Sequence, residues 1–233
     1  MLARERAGTA QAPITLFAWP GQSSLIVTLM LEECGLDYET RPVDLGAGRQ
    51  FAPDFLMISP NNKVPAVIDA GVPGAGPVTV FESGAILRHL ARRTGRFGGS
   101  GAAGAALVDQ WLFWQASGLG PMAAQAEHFC AQAGAGADRA PRAYAETRFI
   151  NEVRRLYGVL DARLARSRFA AEIYSIADMA VYPCALQWRR QGQDISEFPH
   201  VGRWLGEIGQ RPAAKRALLA DQNGYTRQHA GAA

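Results

Sequence analysis

The spacing of hydrophobic residues changes once along the chain, near residue 94, and this change predicts two structural regions. The first region contains short apolar runs that end at Gly, Pro or Asn, which is typical of β-strands. Four such runs lie at Ile14–Ala18, 38–43, Ala66–Asp69 and Val78–Phe81. A leucine-rich helical run after Ser23 separates the first two. The order therefore predicts a βαβ unit with parallel pairing, followed by two strands and a helix.

Beyond residue 105 the strand pattern disappears and helical spacing replaces it. Between residues 148 and 164, apolar side chains recur every three or four positions, which predicts one long amphipathic helix. Shorter helices are predicted at 107–115, 201–209 and 212–221, the first of them ending in a break at 118–121.

Two motifs in the helical region are interpreted as structural. Ser175 and Asp178 have the spacing of a helix capping box, so we assign them a folding role and no catalytic one. An aromatic cluster is expected to belong to the core more than to a binding face, although its helix would border the cleft between the regions. Its members are Trp111, Phe113 and Trp114.

A stretch rich in Gly, Ala and Ser joins the two regions and is interpreted as a linker. It contains the pattern GxGxxG at Gly99, Gly101 and Gly104, but the pattern follows a helix instead of a strand, so we predict no dinucleotide site. The strand order, with a proline at the start of the third strand, resembles the thioredoxin fold. The predicted organisation is a flexible extension (1–12), a thioredoxin-like α/β domain (13–94), a linker (95–104) and an all-α domain (105–233).

Composition excludes several function classes. The 24 Lys and Arg and 21 Asp and Glu residues are interspersed, so no basic run points to nucleic acid. No stretch approaches eighteen apolar residues, and the first dozen residues lack the apolar segment of a signal peptide, so we expect neither a membrane span nor export. The three cysteines are far apart in sequence and form no CxxC motif, so the sequence predicts neither a disulfide framework nor a metal site. This cysteine usage favours the reducing cytoplasm as the location of the protein.

The candidate chemistry lies between residues 59 and 87. Proline is the residue before which a cis peptide costs little, and a cis Val64–Pro65 bond would leave the Val64 backbone open to pair with an extended peptide. Downstream, Glu82 and a capping Ser83 lie at the start of a helix. The free N–H groups of such a helix start can bind a ligand carboxylate, and the acidic side chain of Glu82 can bind a ligand ammonium. Together these groups would hold the zwitterionic end of an amino acid.

The wording of these motifs, SPNNKVPA and FESGAIL, resembles the glutathione site of glutathione transferases. Within that family, three longer segments resemble the bacterial Nu-class branch: LEECGLDYETRPVDLGAG, WLFWQASGLGPM and NEVRRLYGVLDARL. This branch is similar to disulfide-bond reductases that are related to a yeast prion protein. The resemblance covers nearly the whole chain after residue 13. It implies a thioredoxin-like N-terminal domain joined to an all-α C-terminal domain.

The resemblance also implies a set of glutathione-binding residues. Val64, before Pro65, would pair with the cysteinyl backbone, and Glu82 and Ser83 would hold the γ-glutamyl end. Gln50 and Lys63 would lie near the polar groups of the tripeptide. In this branch, the residue at the position of Arg148 reaches the glutathione site from the partner subunit, which implies a homodimer. The resemblance also implies glutathione as co-substrate and no metal.

The reactive turn departs from the branch pattern. Branch members carry a Thr-Pro-Asn-like turn, whereas this chain reads WPGQSS at 19–24, a turn that we interpret as one residue longer. Ser23 and Ser24 stand at a helix N-terminus, where a hydroxyl can stabilise a thiolate, and which of them does so stays open. No tyrosine precedes Tyr38, and Cys34 lies roughly 15 Å along the helix. The nucleophile is therefore expected to be glutathione itself.

Three functions fit these residues. The first is a glutathione-dependent disulfide oxidoreductase or transferase, in which the thiolate of bound glutathione attacks a disulfide or an electrophile. The second is a glutathione-binding or regulatory protein with little turnover, suggested by the altered turn. The third is conjugation of hydrophobic electrophiles over the face of Trp111 and Trp114.

Overall fold

The computed structural model describes residues 14–72, 74, 76–131 and 139–224. The predicted extension at 1–12 lies outside these residues. Four strands form one sheet in the order β2-β1-β3-β4: β1 (Ile14–Ala18), β2 (Tyr38–Pro42), β3 (Ala66–Asp69) and β4 (Val78–Phe81). The pair β1 and β2 is parallel and the other two pairs are antiparallel. The predicted strand order and parallel pairing are confirmed.

Helices flank this sheet, and their ends follow from local sequence. α1 (Gln22–Cys34) connects β1 to β2 and ends at Gly35, whose left-handed backbone lets its N–H bond back to Leu31 and Glu32 carbonyls. A short α2 (Pro53–Leu56) precedes β3, and α3 (Ser83–Thr94) follows β4. The N-terminal region therefore has the predicted thioredoxin-like order.

The regular elements after α3 in the described chain are all helices, apart from an isolated bridge between Ala171 and Ile173. The α-helices are α4 (Gly101–Trp114), α5 (Gly120–Ala131), α6 (Arg139–Leu164), α7 (Ile176–Ala185), α8 (Pro199–Gly209) and α9 (Pro212–Gln222). The long amphipathic helix predicted at 148–164 is confirmed as part of α6. No described helix combines the length and apolar character that crossing a bilayer requires.

The predicted break at 118–121 is wrong. The chain continues from α4 to α5 through a π-helical turn, Gln115–Leu119, which keeps a helical backbone with one wider turn. Gly120 permits this turn because a side chain there would meet the Gln115 carbonyl at 3.1 Å. A glycine next to a proline was therefore not a helix end here.

The glycines of the predicted linker have a packing role. α4 begins at Gly101, so the second half of the stretch 95–104 includes the first turn of a helix. A Cβ on Gly99 would stand 2.4 Å from the Gly104 backbone, so this close approach requires glycine. The domain boundaries at 94 and 105 stay predictions.

One buried core runs through both regions. It includes Leu16 of β1, Leu29 of α1, Leu87 of α3, Tyr157 of α6 and Trp204 of α8. The sheet and the helical region thus pack directly against each other. The cavity described below lies where they meet.

The predicted capping box is confirmed. The Ser175 Oγ accepts a hydrogen bond from the Ala177 N–H, and Asp178 accepts one from the Ser175 N–H. Asp178 also accepts hydrogen bonds from the Ala170 N–H and the Trp204 indole, each at 2.9 Å. This buried carboxylate ties the start of α7 to α8 and to the segment before it.

Candidate functional site

A central cavity of about 770 Å³ opens between α1, α3 and the α4–α5 pair. Ser23 lines it from the first turn of α1, and Glu82 and Ser83 line it from the start of α3. Arg88 and Arg92 continue the α3 wall, and Phe113 stands on the opposite side. The fold therefore brings three of the predicted site residues to one cavity although they are some sixty positions apart in sequence.

The two candidate serines have different surroundings. Ser23 is exposed and lines the cavity. Ser24 is 1% exposed, and its Oγ accepts a hydrogen bond from the Trp19 N–H at 3.2 Å. Of the two hydroxyls, the one on Ser23 is available to a ligand.

The start of α3 presents unengaged donors. Glu82 occupies the cap position with φ 70° and makes no side-chain capping bond, and Ser83 is the first helical residue. The prediction of Ser83 as the cap is therefore wrong by one position. Glu82 is exposed, with the Asn61 Nδ2 3.5 Å from its Oε1. A negative group can approach the first N–H groups of α3, and a positive group can approach the Glu82 carboxylate.

The Val64–Pro65 peptide bond is cis, as predicted. Pro65 is buried just before β3, and the Val64 side chain packs on a small cluster around Phe17 and Phe55. Within the described residues, no hydrogen bond engages the Val64 backbone N–H or C=O. That backbone remains open to an extended ligand.

Gln50 and Lys63 lie outside the wall of the central cavity. Gln50 sits in a 3-10 turn, Arg49–Phe51, and its buried Oε1 has no hydrogen-bond partner among the described residues. Lys63 is exposed, and its backbone C=O accepts a hydrogen bond from the Ser59 hydroxyl at 2.8 Å. A buried acceptor without a donor is costly, so Gln50 is suited to an incoming N–H group.

Arg148 is exposed on α6 and does not line the central cavity. It lines a separate depression together with Tyr144 and Arg155. Within one chain, the structure does not bring Arg148 to Ser23, Glu82 and Ser83.

All three cysteines lie in the described ranges, none of them lines the cavity, and burial raises the pKa of each thiol. The effect is largest at Cys184, where burial raises the pKa to about 12. Contact with the Thr94 hydroxyl lowers the pKa of Cys34 again, though by less than burial raises it. All three thiols are therefore less ionised at neutral pH than an ordinary cysteine, and less reactive as nucleophiles.

The aromatic cluster divides between core and cavity. Trp111 and Trp114 are partly buried, with ring centroids 5.1 Å apart, as predicted for core residues. Phe113 is 57% exposed and lines the cavity, so its prediction as a core residue is wrong. On α4, Phe113 is about 200° from Trp111 and about 100° from Trp114, because successive helical residues are about 100° apart, so it presents a different face from the two tryptophans.

Two carboxylates near the cavity were not found from sequence. The Glu127 Oε1 on α5 accepts a hydrogen bond from the Gln22 Nε2 at 2.5 Å, and the Asp221 Oδ1 on α9 accepts one from the Gly21 N–H at 2.9 Å. These contacts span 105 and 200 residues of sequence, and no local pattern marks them. Across the described ranges, no group of three or more His, Cys, Asp or Glu side chains is placed to hold a metal ion.

The chain matches known family models in both regions. Residues 12–92 match the glutathione S-transferase N-terminal domain, and residues 127–212 match the glutathione S-transferase C-terminal domain. The disulfide-bond oxidoreductase YfcG of Escherichia coli strain K12 is 45% identical over 218 residues, which cover 92% of this chain and 98% of YfcG.

Solved structures give the same result. A glutathione transferase from Pseudomonas putida, with one glutathione disulfide bound per subunit, aligns with a TM-score of 0.83 and 36% identity, over 91% of this chain and 93% of that one. A glutathione transferase family member from Pseudomonas fluorescens pf-5, with two glutathione bound, aligns with a TM-score of 0.82 and 38% identity, over 90% and 95% of the two chains.

Proposed function

The chain belongs to the glutathione S-transferase family, and from that premise we propose that it is a glutathione-dependent thiol–disulfide oxidoreductase. The thiolate of bound glutathione is its nucleophile. The observation that carries this proposal is the absence of a usable protein thiol: among the described residues no cysteine reaches the cavity, and burial raises the pKa of every one.

Glutathione binds along the edge of the N-terminal region. The open backbone of Val64, beside the cis Pro65, pairs with the cysteinyl unit, and Glu82 and Ser83 hold the γ-glutamyl ammonium and carboxylate. Gln50 supplies its unpartnered oxygen to an amide N–H, and Lys63 offers a positive charge to a carboxylate. This placement directs the sulfur toward the first turn of α1.

The reaction proceeds by two exchanges. The Ser23 hydroxyl and the N-terminal N–H groups of α1 lower the pKa of the bound thiol, which releases its proton to solvent. The thiolate attacks one sulfur of a disulfide, so one S–S bond forms, another breaks, and a thiolate leaves and takes up a proton. A second glutathione thiolate attacks the mixed disulfide, which yields glutathione disulfide and the second reduced thiol.

The active form is a homodimer in the cytoplasm, in which the partner subunit's Arg148 completes each glutathione site. The exposure of Arg148 in a depression separate from the cavity of its own chain supports this arrangement. We assign glutathione binding to the domain at 13–94, and we propose that the all-α domain at 105–233 contributes the cavity wall formed by α4 and α5.

A second candidate function is conjugation of hydrophobic electrophiles to glutathione. Phe113 favours it, because this exposed ring lines the cavity beside Leu112 and offers an apolar surface to a substrate. Turnover with aryl halides and none with disulfides would select this function over the first.

The test is disulfide exchange by a variant in which Cys34, Cys130 and Cys184 are all replaced by Ala. We expect this variant to reduce a small disulfide with glutathione at close to the wild-type rate, because no protein thiol takes part. Far-ultraviolet circular dichroism and glutathione affinity establish that it is folded. Loss of exchange in a folded triple variant overturns the proposal.

A second measurement addresses the binding role of Glu82. Glu82→Gln is expected to raise the KM for glutathione, whereas Glu39→Gln, at a surface ion pair with Arg41, leaves it unchanged. Tight binding of glutathione by the wild-type protein without any exchange would instead indicate a binding or regulatory protein.

A further inference from the structure

The first turn of α1 is held by groups from far along the chain. Gly21 is the residue before α1, and Gln22 is the first residue of that helix. Ser23 follows directly and faces the cavity. Whatever holds Gly21 and Gln22 therefore also restrains the Ser23 backbone, from which its hydroxyl projects.

Asp221 holds the backbone of this turn. Its Oδ1 accepts a hydrogen bond from the Gly21 N–H at 2.9 Å. Asp221 belongs to the last turn of α9, which packs along α1. The contact joins the cap position of α1 to the last described helix.

Glu127 holds the side chain of the next residue. Its Oε1 accepts hydrogen bonds from the Gln22 Nε2 at 2.5 Å and from the Gln191 Nε2 at 2.9 Å. Gln191 is fully buried and donates a further hydrogen bond to the Cys184 C=O at 2.8 Å. The Tyr157 hydroxyl lies 2.9 Å from the Gln191 Oε1. Glu127 is thus itself fixed from the core of the helical region.

We propose that Glu127 and Asp221 are positioning residues that hold the first turn of α1, and with it the Ser23 hydroxyl, against the sulfur of bound glutathione. This inference rests on the proposed function. Two adjacent residues of the turn are each bound by a carboxylate from a different helix, so both rotation and translation of the turn are restricted. Displacing a catalytic group by about 1 Å can cost on the order of a hundredfold in rate.

The role of Glu127 is geometric. A negative charge near the cavity disfavours a thiolate, so electrostatics alone would select against a glutamate here. What the site requires is an oxygen that accepts two converging N–H groups. The side-chain oxygen of a glutamine can do the same, which allows charge and acceptor geometry to be separated by substitution.

The experiment compares Glu127→Ala with Glu127→Gln, and Asp221→Ala with Asp221→Asn. Glu39→Ala, at a surface ion pair, is the matched control. Hydrogen–deuterium exchange of the peptide spanning 20–26 reports the turn, steady-state disulfide exchange gives kcat and KM, and ultraviolet absorbance of the thiolate against pH gives the pKa of the bound thiol.

We expect both alanine variants to exchange the amides of the α1 first turn faster and to lose roughly tenfold in kcat. Their KM for glutathione should stay within about twofold, because the residues that bind the tripeptide lie on other elements. The pKa of the bound thiol should rise. The amide variants, which keep the acceptor oxygen, should recover most of the lost rate.

Several results would overturn the inference. Unchanged amide exchange in Glu127→Ala would show that this residue does not hold the turn. Faster amide exchange with unchanged kcat and thiol pKa would make Glu127 a stabilising residue only. A Glu127→Gln variant as impaired as Glu127→Ala would show that the charge is what matters. A wild-type protein without disulfide exchange defeats the proposed function, whereas amide exchange still decides whether Glu127 holds the turn.

Discussion

Ser23 and Ser24 are neighbours with opposite surroundings. The Ser23 side chain is exposed in the central cavity, whereas Ser24 is buried and its Oγ accepts a hydrogen bond from the Trp19 N–H. A hydroxyl that contacts a ligand and a hydroxyl that satisfies the backbone have different effects when removed. Substituting each in turn therefore separates activity from stability.

We expect Ser23→Ala to lower the rate of disulfide exchange on the order of tenfold or more, because it removes a donor to the developing thiolate. Its activity should also shift to higher pH, as the pKa of the bound thiol rises toward the ordinary value near 8.5. Ser24→Ala should cost about 1 to 2 kcal/mol in the free energy of unfolding, because it leaves the Trp19 N–H unpaired. Rate–pH profiles and urea unfolding measure the two effects. A Ser23→Ala variant with the wild-type profile would exclude this hydroxyl as the donor.

Asp178 is the buried acid whose ionisation bears on stability. Burial raises the pKa of Asp178 to about 6. Four hydrogen bonds to the carboxylate lower this pKa, but by less than burial raises it. Their donors are the Ala170 N–H, the Trp204 indole, and the N–H and hydroxyl of Ser175. Because the folded-state pKa lies above the unfolded one, the folded protein binds the proton more tightly. The associated stability is present at low pH and is lost as the pH rises through about 6.

We therefore expect the difference in free energy of unfolding between wild type and Asp178→Asn to shrink as the pH rises from about 4 to about 6. The variant does not titrate and should be less stable at every pH by about 1 to 3 kcal/mol, because its amide nitrogen faces a donor. Urea unfolding at a series of pH values measures the difference. A difference independent of pH would contradict the raised pKa.

At the scale of elements, the junction between α3 and α4 depends on close backbone packing. Gly99 and Gly101 both have positive φ, at 83° and 63°. A Cβ on Gly99 would stand 2.4 Å from the Gly104 backbone, whereas one on Gly101 would meet nothing within 4 Å. The two glycines share the same conformational demand and differ in the space around them.

Gly101→Ala should lower the free energy of unfolding by about 1 to 2 kcal/mol, because alanine is strained in a left-handed backbone conformation. Gly99→Ala should lower the free energy of unfolding by at least about 3 kcal/mol, because its Cβ would also clash with the Gly104 backbone. Thermal and urea unfolding of both variants measure this. Equal losses would show that the junction can move apart without penalty.

Local sequence predicted most elements of the fold, because strands, turns and caps depend on near neighbours. The β1-to-β2 crossover, the box at Ser175 and Asp178 and the amphipathic part of α6 all follow from short-range patterns. The π-helical turn did not, because Gly and Pro in sequence do not distinguish a wider turn from a helix end. Its consequence is local, since the helical backbone continues from α4 through the π-helical turn into α5.

For the whole molecule, the strongest ties between the first and last parts of the described chain run from α1 to α9. The Arg211 guanidinium, just before α9, binds both oxygens of Glu33, at 2.5 and 2.8 Å. It also lies over the Tyr174 ring at 3.9 Å, and the Glu33 side chain is only 6% exposed. A guanidinium that binds both oxygens of a buried carboxylate differs from a surface ion pair.

Arg211→Ala should lower the free energy of unfolding by about 2 to 4 kcal/mol, because it leaves a buried carboxylate without its partner. Arg41→Ala, at the surface pair with Glu39, should change it by no more than about 1 kcal/mol. Urea unfolding curves give both values. Similar small losses would mean that water replaces the guanidinium at Glu33.

The sequence offered site residues that lie within one motif, and their roles stay predictions, whereas it did not reveal contacts that the fold makes between distant elements. Glu82 and Ser83 are adjacent in sequence, and the fold places Ser23 on the same cavity. The contacts of Glu127 and Asp221 depend on how α5 and α9 pack against α1, which no short pattern encodes. Long-range packing, not composition, decides these contacts.

Oxidants and alkylating agents meet no reactive sulfur of the described chain in the central cavity. The reacting sulfur enters with each glutathione and leaves with each product. An electrophile that alkylates this sulfur therefore consumes one glutathione molecule and leaves the protein unmodified. Inactivation should therefore follow depletion of the glutathione pool, and fresh glutathione should restore the rate without repair of the protein.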